Sequence, residues 1–194
     1  MKLLSAMILC VTPILAGPAR AADLFNLDQR YGSIGFTVEH FGAFHSLGNF
    51  PRFMGKLLID RLHPEQSKID VEADATSVTV PWPDGTELLR GPDFFDATHH
   101  AVVRYVGDAI KAIDATHYKI LGRLEIRGIS RPLTLDATLQ HESDDPVKGT
   151  EIADFTVTGN LSRSDFGMTA DPVMISDQVK LMIATRIELP AQPR

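Results

Sequence analysis

The chain has 194 residues, of which 44% are hydrophobic, and its 25 acidic side chains outnumber its 19 basic ones. Because no basic cluster occurs along the chain, the charge pattern argues against nucleic acid and anionic membrane surfaces as partners. Cys10 is the single cysteine, so a disulfide framework is excluded and the fold must be held by burial and backbone pairing.

The amino-terminal segment is typical of a cleaved signal peptide. A basic start at Lys2 precedes a mostly apolar run over residues 3–15, and Ala19-Arg20-Ala21 has the small-x-small pattern of a cleavage site. The apolar run is shorter than the about 20 residues of a membrane-spanning helix. We therefore predict a signal peptide over residues 1–21, cleavage after Ala21 and export to the periplasm. The mature chain, residues 22–194, is expected to form one domain without a transmembrane segment.

Short segments in which apolar and polar residues alternate follow one another along the mature chain, which predicts strands with one apolar face. We place about eight strands, at residues 34–40, 48–60, 69–75, 101–110, 118–127, 133–140, 152–161 and 178–189. A short helix is predicted over residues 84–95, after the Pro81-Trp82-Pro83 break. The fold class is therefore all-β with one or two short helices, and such strands can stack as a sandwich or close into a barrel.

The apolar faces of these strands supply the candidates for the interior of the fold. Small residues stand among the large ones on these faces, at Ala73, Ala75, Gly122 and Ala137. A barrel of about eight strands either packs solid or holds one small ligand, so these small residues either leave room or fit the taper of a filled barrel. The candidate ligand-binding residues of the interior are Phe36, Val38, Val71, Leu124, Ile126, Leu135, Leu181 and Ile183.

Five phenylalanines crowd into a short stretch around the first of the predicted strands: Phe36, Phe41, Phe44, Phe50 and Phe53. One interpretation is the seed of the hydrophobic core. The other is the mouth of an apolar pocket, where His40 would orient the polar head of an apolar ligand.

Residues 159–168 connect the last two predicted strands and contain the run Arg163-Ser-Asp165-Phe166-Gly167-Met168. We expect Gly167 to adopt a positive φ, which would let the Phe166 ring turn back against the end of the sheet. Arg163 and Asp165 stand two residues apart, so they are predicted to form an ion pair at the barrel end, with contact to a ligand headgroup as the alternative. Arg163 is accordingly placed with His40 near a polar end of the pocket.

The sequence contains none of the common catalytic signatures. The motifs Gly-x-Ser-x-Gly and His-Glu-x-x-His are absent. The sequence therefore contains neither the nucleophile elbow of the α/β-hydrolases nor the zinc-binding helix of metalloproteases. His99 and His100 are adjacent and would project in opposite directions in an extended segment, which is poor spacing for a metal site. We assign no catalytic residue, metal ligand or cofactor. An enzyme that uses His40, Arg163 and Asp165 stays open as an alternative.

Five blocks follow one another along the mature chain: Phe36-Thr-Val38-Glu-His40; residues 48–55; Ser77-Val78 with Leu88-Leu-Arg90 and residues 93–96; residues 122–132; and Arg163 to Met168. In this order the blocks resemble the YceI-like family of periplasmic lipid-binding proteins. The resemblance implies a lipocalin-like antiparallel β-barrel that holds a polyisoprenoid or an isoprenoid quinone non-covalently, for carriage or sequestration in the periplasm. It also implies a homodimer and no catalysis; a filled barrel with a stress or scaffold role is the alternative.

Overall fold

The computed structural model describes residues 22–190, which form one curled antiparallel sheet of ten strands. The predicted signal peptide, its cleavage after Ala21 and Cys10 lie outside the described residues. Short 3-10 helices cover residues 29–31, 64–66, 75–77 and 163–166. The strands are β1 (Asp23–Asn26), β2 (Ser33–His40), β3 (Phe44–Asn49), β4 (Phe53–Ile59), β5 (Lys68–Asp74), β6 (Val102–Ala112), β7 (His117–Ile126), β8 (Ile129–Asp145), β9 (Thr150–Ser162) and β10 (Ile175–Pro190); α1 spans Pro83–Arg90.

Strands β4 to β10 form a continuous antiparallel meander, in which each strand pairs with the next along the chain. The first strands lie at its two edges, because β1 pairs with β4 whereas β2 pairs with β10 and β3 pairs with β2. Residues 27–32 and 50–52 therefore cross from one edge of the curled sheet to the other. These two crossings bring the edges together and give the sheet its barrel-like shape.

The class predicted from the sequence is confirmed, with ten strands where about eight were expected. The additional strands are β1, which has only four residues, and β3, of which only residues 48–49 were predicted, as the start of the strand over residues 48–60. The chain breaks at Phe50-Pro51-Arg52, where the Phe50 amide donates to Ile34 O (2.9 Å) and the chain leaves the β2 side of the sheet. Proline supplies no amide hydrogen to a ladder, which suits it to this break.

The single α-helix among the described residues ends five residues earlier than predicted. Gly91, the C-cap residue, has extended backbone, and Pro92 follows it, so the helix cannot continue. Residues 91–100 instead form hydrogen-bonded turns that bury Phe94 and Phe95. The ring of Phe95 packs against those of Phe36 and Phe50, at centroid distances of 6.1 and 5.3 Å.

The barrel has two dissimilar ends. At the end called the helix end lie α1, the turns over residues 91–100 and the 3-10 helix over residues 163–166, together with the last residue of β2, His40. At the opposite end, called the far end, lie the three loops over residues 60–67, 113–116 and 146–149. The rings of Phe36, Phe50 and Phe95 are buried inside the barrel and pack against one another.

Candidate functional site

The interior of the curled sheet contains an elongated cavity of about 520 Å³. Its walls are almost entirely apolar and come from the inward faces of β2 and β4 to β10, with α1 and the segment before it covering the helix end. All of the interior residues selected from the sequence line this cavity: Phe36, Val38, Val71, Leu124, Ile126, Leu135, Leu181 and Ile183.

The cavity also has aromatic walls that the sequence analysis did not select. Tyr105 of β6 is buried, and Tyr118 of β7 packs edge-on against Phe155 of β9 with ring centroids 6.1 Å apart. Trp82 and Leu89 of the α1 region line the helix end. Tyr105, Tyr118 and Phe155 lie on the apolar face of their alternating segments. The same alternation with a period of two could therefore have assigned these three residues to the cavity wall.

The predicted aromatic cluster divides into two groups. Phe36, Phe50 and Phe53 are buried, as a core seed requires, whereas Phe41 and Phe44 are 63% and 70% exposed. Phe41 has a φ of 56° and the next residue, Gly42, one of 66°, so these two residues form the tight turn between β2 and β3. The turn holds both exposed rings outside the core at the helix end.

His40 lines the cavity at the helix end, and its Nε2 lies 2.7 Å from the hydroxyl of Ser46, which faces it from β3. Ser46 also lines the cavity. The pair therefore provides a hydrogen-bonding group in a mostly apolar wall. Neither residue contacts a carboxylate in the described structure, so the arrangement lacks the third member of a nucleophilic triad.

Arg163 has a different role from the one predicted for it. Its side chain is buried, and its Nε, Nη1 and Nη2 donate to the carbonyl oxygens of Ser176, Met168 and Ile175 at 3.0, 2.8 and 3.0 Å. These bonds engage every nitrogen of the guanidinium group. Arg163 lines the cavity wall but ties the β9–β10 connection together, so its guanidinium is already committed within the protein.

The predicted ion pair between Arg163 and Asp165 is wrong. Asp165 is exposed. The carboxylate whose charge interacts with that of Arg163 is instead Asp177. Asp177 also accepts a hydrogen bond from the Ser164 amide at 2.9 Å. This backbone hydrogen bond is the main reason that the pKa of Asp177 is lowered, and the charge of Arg163 adds to it. Asp177 therefore stabilises the start of the 3-10 helix.

The backbone prediction for the same connection is confirmed. Gly167 has a φ of 75°, and the Phe166 and Met168 side chains on either side of it are 2% and 5% exposed. The Gly167 carbonyl accepts a hydrogen bond from Arg127 Nη1 at 3.0 Å. The turn thus packs two apolar side chains against the helix end of the barrel.

The far end carries three of the charged side chains that line the cavity, whereas Arg163 lines it at the helix end. Arg61, in the loop between β4 and β5, forms an ion pair with Glu151 of β9 at 2.6 Å, and Asp60 and Glu142 also line the cavity here. Amide hydrogen bonds from His63 and Leu62 hold the pKa of Asp60 below its ordinary value. No sequence signal marks this group, because Arg61 and Glu151 are 90 residues apart and share no motif.

Among residues 22–190, no group of three or more His, Cys, Asp or Glu side chains has the geometry to hold a metal ion. His99 instead contacts Asp96 at 2.8 Å on the surface. The same residues contain no helix whose length and apolar character would let it span a bilayer.

Known proteins resemble this chain both in sequence and in fold. A UPF0312 protein from Pectobacterium carotovorum is 31% identical over 170 residues, covering 87% of this chain and 88% of that protein. Among solved structures, BcnA of Burkholderia cenocepacia superposes with a TM-score of 0.74 at 19% identity, covering 83% of this chain and 99% of that one. A polyisoprenoid binding domain from Saccharophagus degradans, implicated in plant cell wall breakdown, has a TM-score of 0.63 at 13% identity and covers 88% of this chain and 100% of that one.

A family model described as the YceI-like domain matches residues 25–187, which include nearly all of the ten strands. The match takes in both edges of the sheet and every strand that lines the cavity. The chain therefore belongs to the YceI-like family.

Proposed function

We propose that this protein is exported to the periplasm, where it holds one isoprenoid-type lipid, a polyisoprenoid or an isoprenoid quinone, for carriage or sequestration. The observation that carries the proposal is the elongated cavity of about 520 Å³ with almost entirely apolar walls. A long apolar tail matches these walls because they offer few hydrogen-bonding groups along their length. The polar groups that do occur are concentrated at the two ends.

Burial of the tail supplies the main favourable free energy of binding. At about 25 cal/mol per Å², enclosing about 400 Å² of apolar ligand surface contributes about 10 kcal/mol before ordering costs. A micromolar complex requires about 8 kcal/mol net, so this contribution exceeds that requirement before the ordering costs are subtracted. The cavity also favours ligand binding over a filled barrel, in which side chains would occupy the same space.

The comparisons support the choice of ligand class. The Saccharophagus degradans domain, which shares the fold, is described as binding a polyisoprenoid. We extend that chemistry to this chain because the residues of its cavity wall are themselves compatible with such a tail. We propose no catalytic step, since His40 pairs with the hydroxyl of Ser46 and the guanidinium of Arg163 is engaged by carbonyl groups.

We further propose that two copies associate as a homodimer. Strand β3 lies at one edge of the sheet and exposes Phe44 and Leu47. An unpaired edge with exposed apolar side chains is a surface that favours association. Light scattering on the purified mature chain should give twice the monomer mass, and a monomer mass at micromolar concentration would contradict this proposal.

The lipid proposal is tested by mass spectrometry of an organic extract of the purified protein. We expect close to one equivalent of a prenyl lipid per chain, and an unrelated exported protein purified from the same cells should carry none. A chain that emerges empty from several hosts, and that takes up no isoprenoid quinone or polyprenol when these are added, would contradict the proposal.

A further inference from the structure

The ion pair between Arg61 and Glu151 spans the far end of the cavity. Arg61 lies in the loop after β4 and Glu151 in β9, two strands that are not neighbours in the sheet. The Nη1–Oε2 distance is 2.6 Å, and the side chains are 24% and 18% exposed. By register, Glu151 lies on the inward face of β9, since it stands two residues before Ala153, which lines the cavity.

One hydrogen-bond donor of the Arg61 guanidinium is unsatisfied. Its Nη2 is shielded from solvent and has no hydrogen-bond partner in the described structure. Buried donors without partners are rare because burying an unpaired polar group is costly. Arg61 also lines the cavity, and its guanidinium stands at the end of a flexible stem. An acceptor oxygen of a bound molecule would therefore complete its hydrogen bonding.

The surrounding charges restrict which acceptor fits. Asp60 and Glu142 line the cavity beside Arg61. The lowered pKa of Asp60 keeps its carboxylate ionised at neutral pH.

The nearby cations are occupied elsewhere. Lys148 pairs with Glu188 at 2.8 Å, and Arg186 pairs with Asp154 at 2.7 Å. Arg61 is thus the only cation among the described cavity-lining residues of the far end, and its charge is already balanced by Glu151. A phosphate or pyrophosphate placed here would face the carboxylates of Asp60 and Glu142, and no cation among the described residues of this end is free to pair with it, which is unfavourable in a partly buried site.

We propose that the far end is a headgroup site for an uncharged, carbonyl-bearing lipid, such as an isoprenoid quinone or ketone, and that it rejects phosphorylated lipids. Arg61 donates through Nη2 to the carbonyl oxygen, while Glu151 holds the guanidinium in place through Nη1. The tail then extends along the apolar walls toward the helix end. This inference rests on the proposed lipid-binding function and specifies the headgroup for it.

The test compares probes that share an isoprenoid tail and differ in the head: farnesylacetone, farnesyl phosphate, and farnesane, the hydrocarbon without a polar group. Binding can be followed through Trp82, the single tryptophan of the chain, which lines the cavity, and by calorimetry. For the wild-type chain we expect farnesylacetone to bind at least about tenfold more tightly than farnesyl phosphate.

Two variants assign the preference to the ion pair. Arg61→Met keeps an apolar stem. It should lower the affinity for farnesylacetone about five- to tenfold and leave the affinity for farnesane unchanged. Glu151→Gln keeps Arg61 and removes one negative charge, so it should raise the affinity for farnesyl phosphate several-fold. The matched control is Arg186→Met, which breaks an ion pair of similar length between β9 and β10 on the outer face and should leave all three affinities at wild-type values.

The outcomes separate the two proposals. The headgroup inference is wrong, and lipid binding stands, if farnesyl phosphate binds as tightly as farnesylacetone. The same holds if Glu151→Gln leaves the ratio of the two affinities at its wild-type value. If Arg61→Met is folded by its melting curve and binds farnesylacetone like the wild type, the donor role of Arg61 is wrong. If none of the probes, farnesane included, binds the wild-type chain, the proposed function itself is contradicted.

Discussion

The ring of Tyr105 on β6 lies directly over Gly122 on β7, in the wall of the barrel. A Cβ atom on Gly122 would stand 2.7 Å from the ring and 2.2 Å from the carbonyl oxygen of Val106. The Tyr105 hydroxyl lies 3.1 Å from the carbonyl oxygens of both Ile120 and Leu133, and burial raises its pKa. The glycine predicted to leave room in the interior therefore accommodates an aromatic ring.

Gly122→Ala is expected to destabilise the protein by about 1–3 kcal/mol or more, because the new methyl group meets backbone as well as the Tyr105 ring. Gly159→Ala is the matched control on the inward face of β9. There the added Cβ would stand 2.5 Å from Leu135 Cδ2 and 3.8 Å from Leu181 Cδ1, with no backbone atom among these contacts, and the Leu135 side chain can move into the cavity. Denaturant midpoints of the two variants should differ clearly, and equal losses would contradict the packing described for Tyr105.

Arg163→Met should cost about 3 kcal/mol or more, because it removes the donors for three carbonyl groups at a buried connection. Asp165→Asn should leave the free energy of unfolding within about 0.5 kcal/mol, since Asp165 is exposed. Thermal or denaturant unfolding checks both values. A comparable loss in the two variants would restore the ion pair that the sequence alone suggested.

Gly167→Ala should cost about 1–2 kcal/mol, because its φ of 75° lies in the left-handed region. Gly167→Asn should recover part of this loss, since asparagine tolerates that region better than alanine does. Melting temperatures in the order Gly, Asn, Ala from high to low would support the assignment, and an unchanged melting temperature for the alanine variant would contradict it.

Val71→Trp should lower the amount of lipid bound per chain more than it lowers stability. Val71 lines the cavity from β5, so a large side chain there occupies volume that the ligand tail needs. Glu72→Gln is the outward control, because Glu72 faces Arg104 on the exposed surface at 3.6 Å. The measurement is bound lipid by mass spectrometry alongside the denaturant midpoint. A Val71→Trp protein with a full lipid load would contradict the assignment of Val71 to the ligand cavity.

The stability of the protein should fall as the pH drops from about 4 to about 2. Hydrogen bonds from the Thr116 and His117 amides and the His117 ring lower the pKa of Asp114 to about 2. An unfolded aspartate titrates near 3.9, so this carboxylate stabilises the fold above that pH and loses its contribution as it is protonated. Asp114→Asn should therefore flatten the acid side of a plot of unfolding free energy against pH. An unchanged slope in this window would contradict the role of Asp114.

The faces of the strands were accessible from the sequence alone. Alternation along a strand depends only on which of its two sides is buried, so residues such as Val71 and Leu135 could be assigned to the interior before any pairing was known. The positive φ at Gly167 was predictable for a similar reason, because a glycine after a buried aromatic in a short connection is a local signal.

The charged groups at the far end of the cavity could be placed only from the tertiary structure. In β8 the ladder register shifts between Leu139 and His141, and this bulge turns Glu142 to the inward face beside Ala153. A strict period of two, continued from Leu139, would have placed His141 inside instead. Likewise, Arg61 meets Glu151 only because the sheet curls and brings two distant elements together at the far end. Alternation is a property of one strand, whereas bulges, edge positions and contacts between distant loops are set by how all ten strands pair.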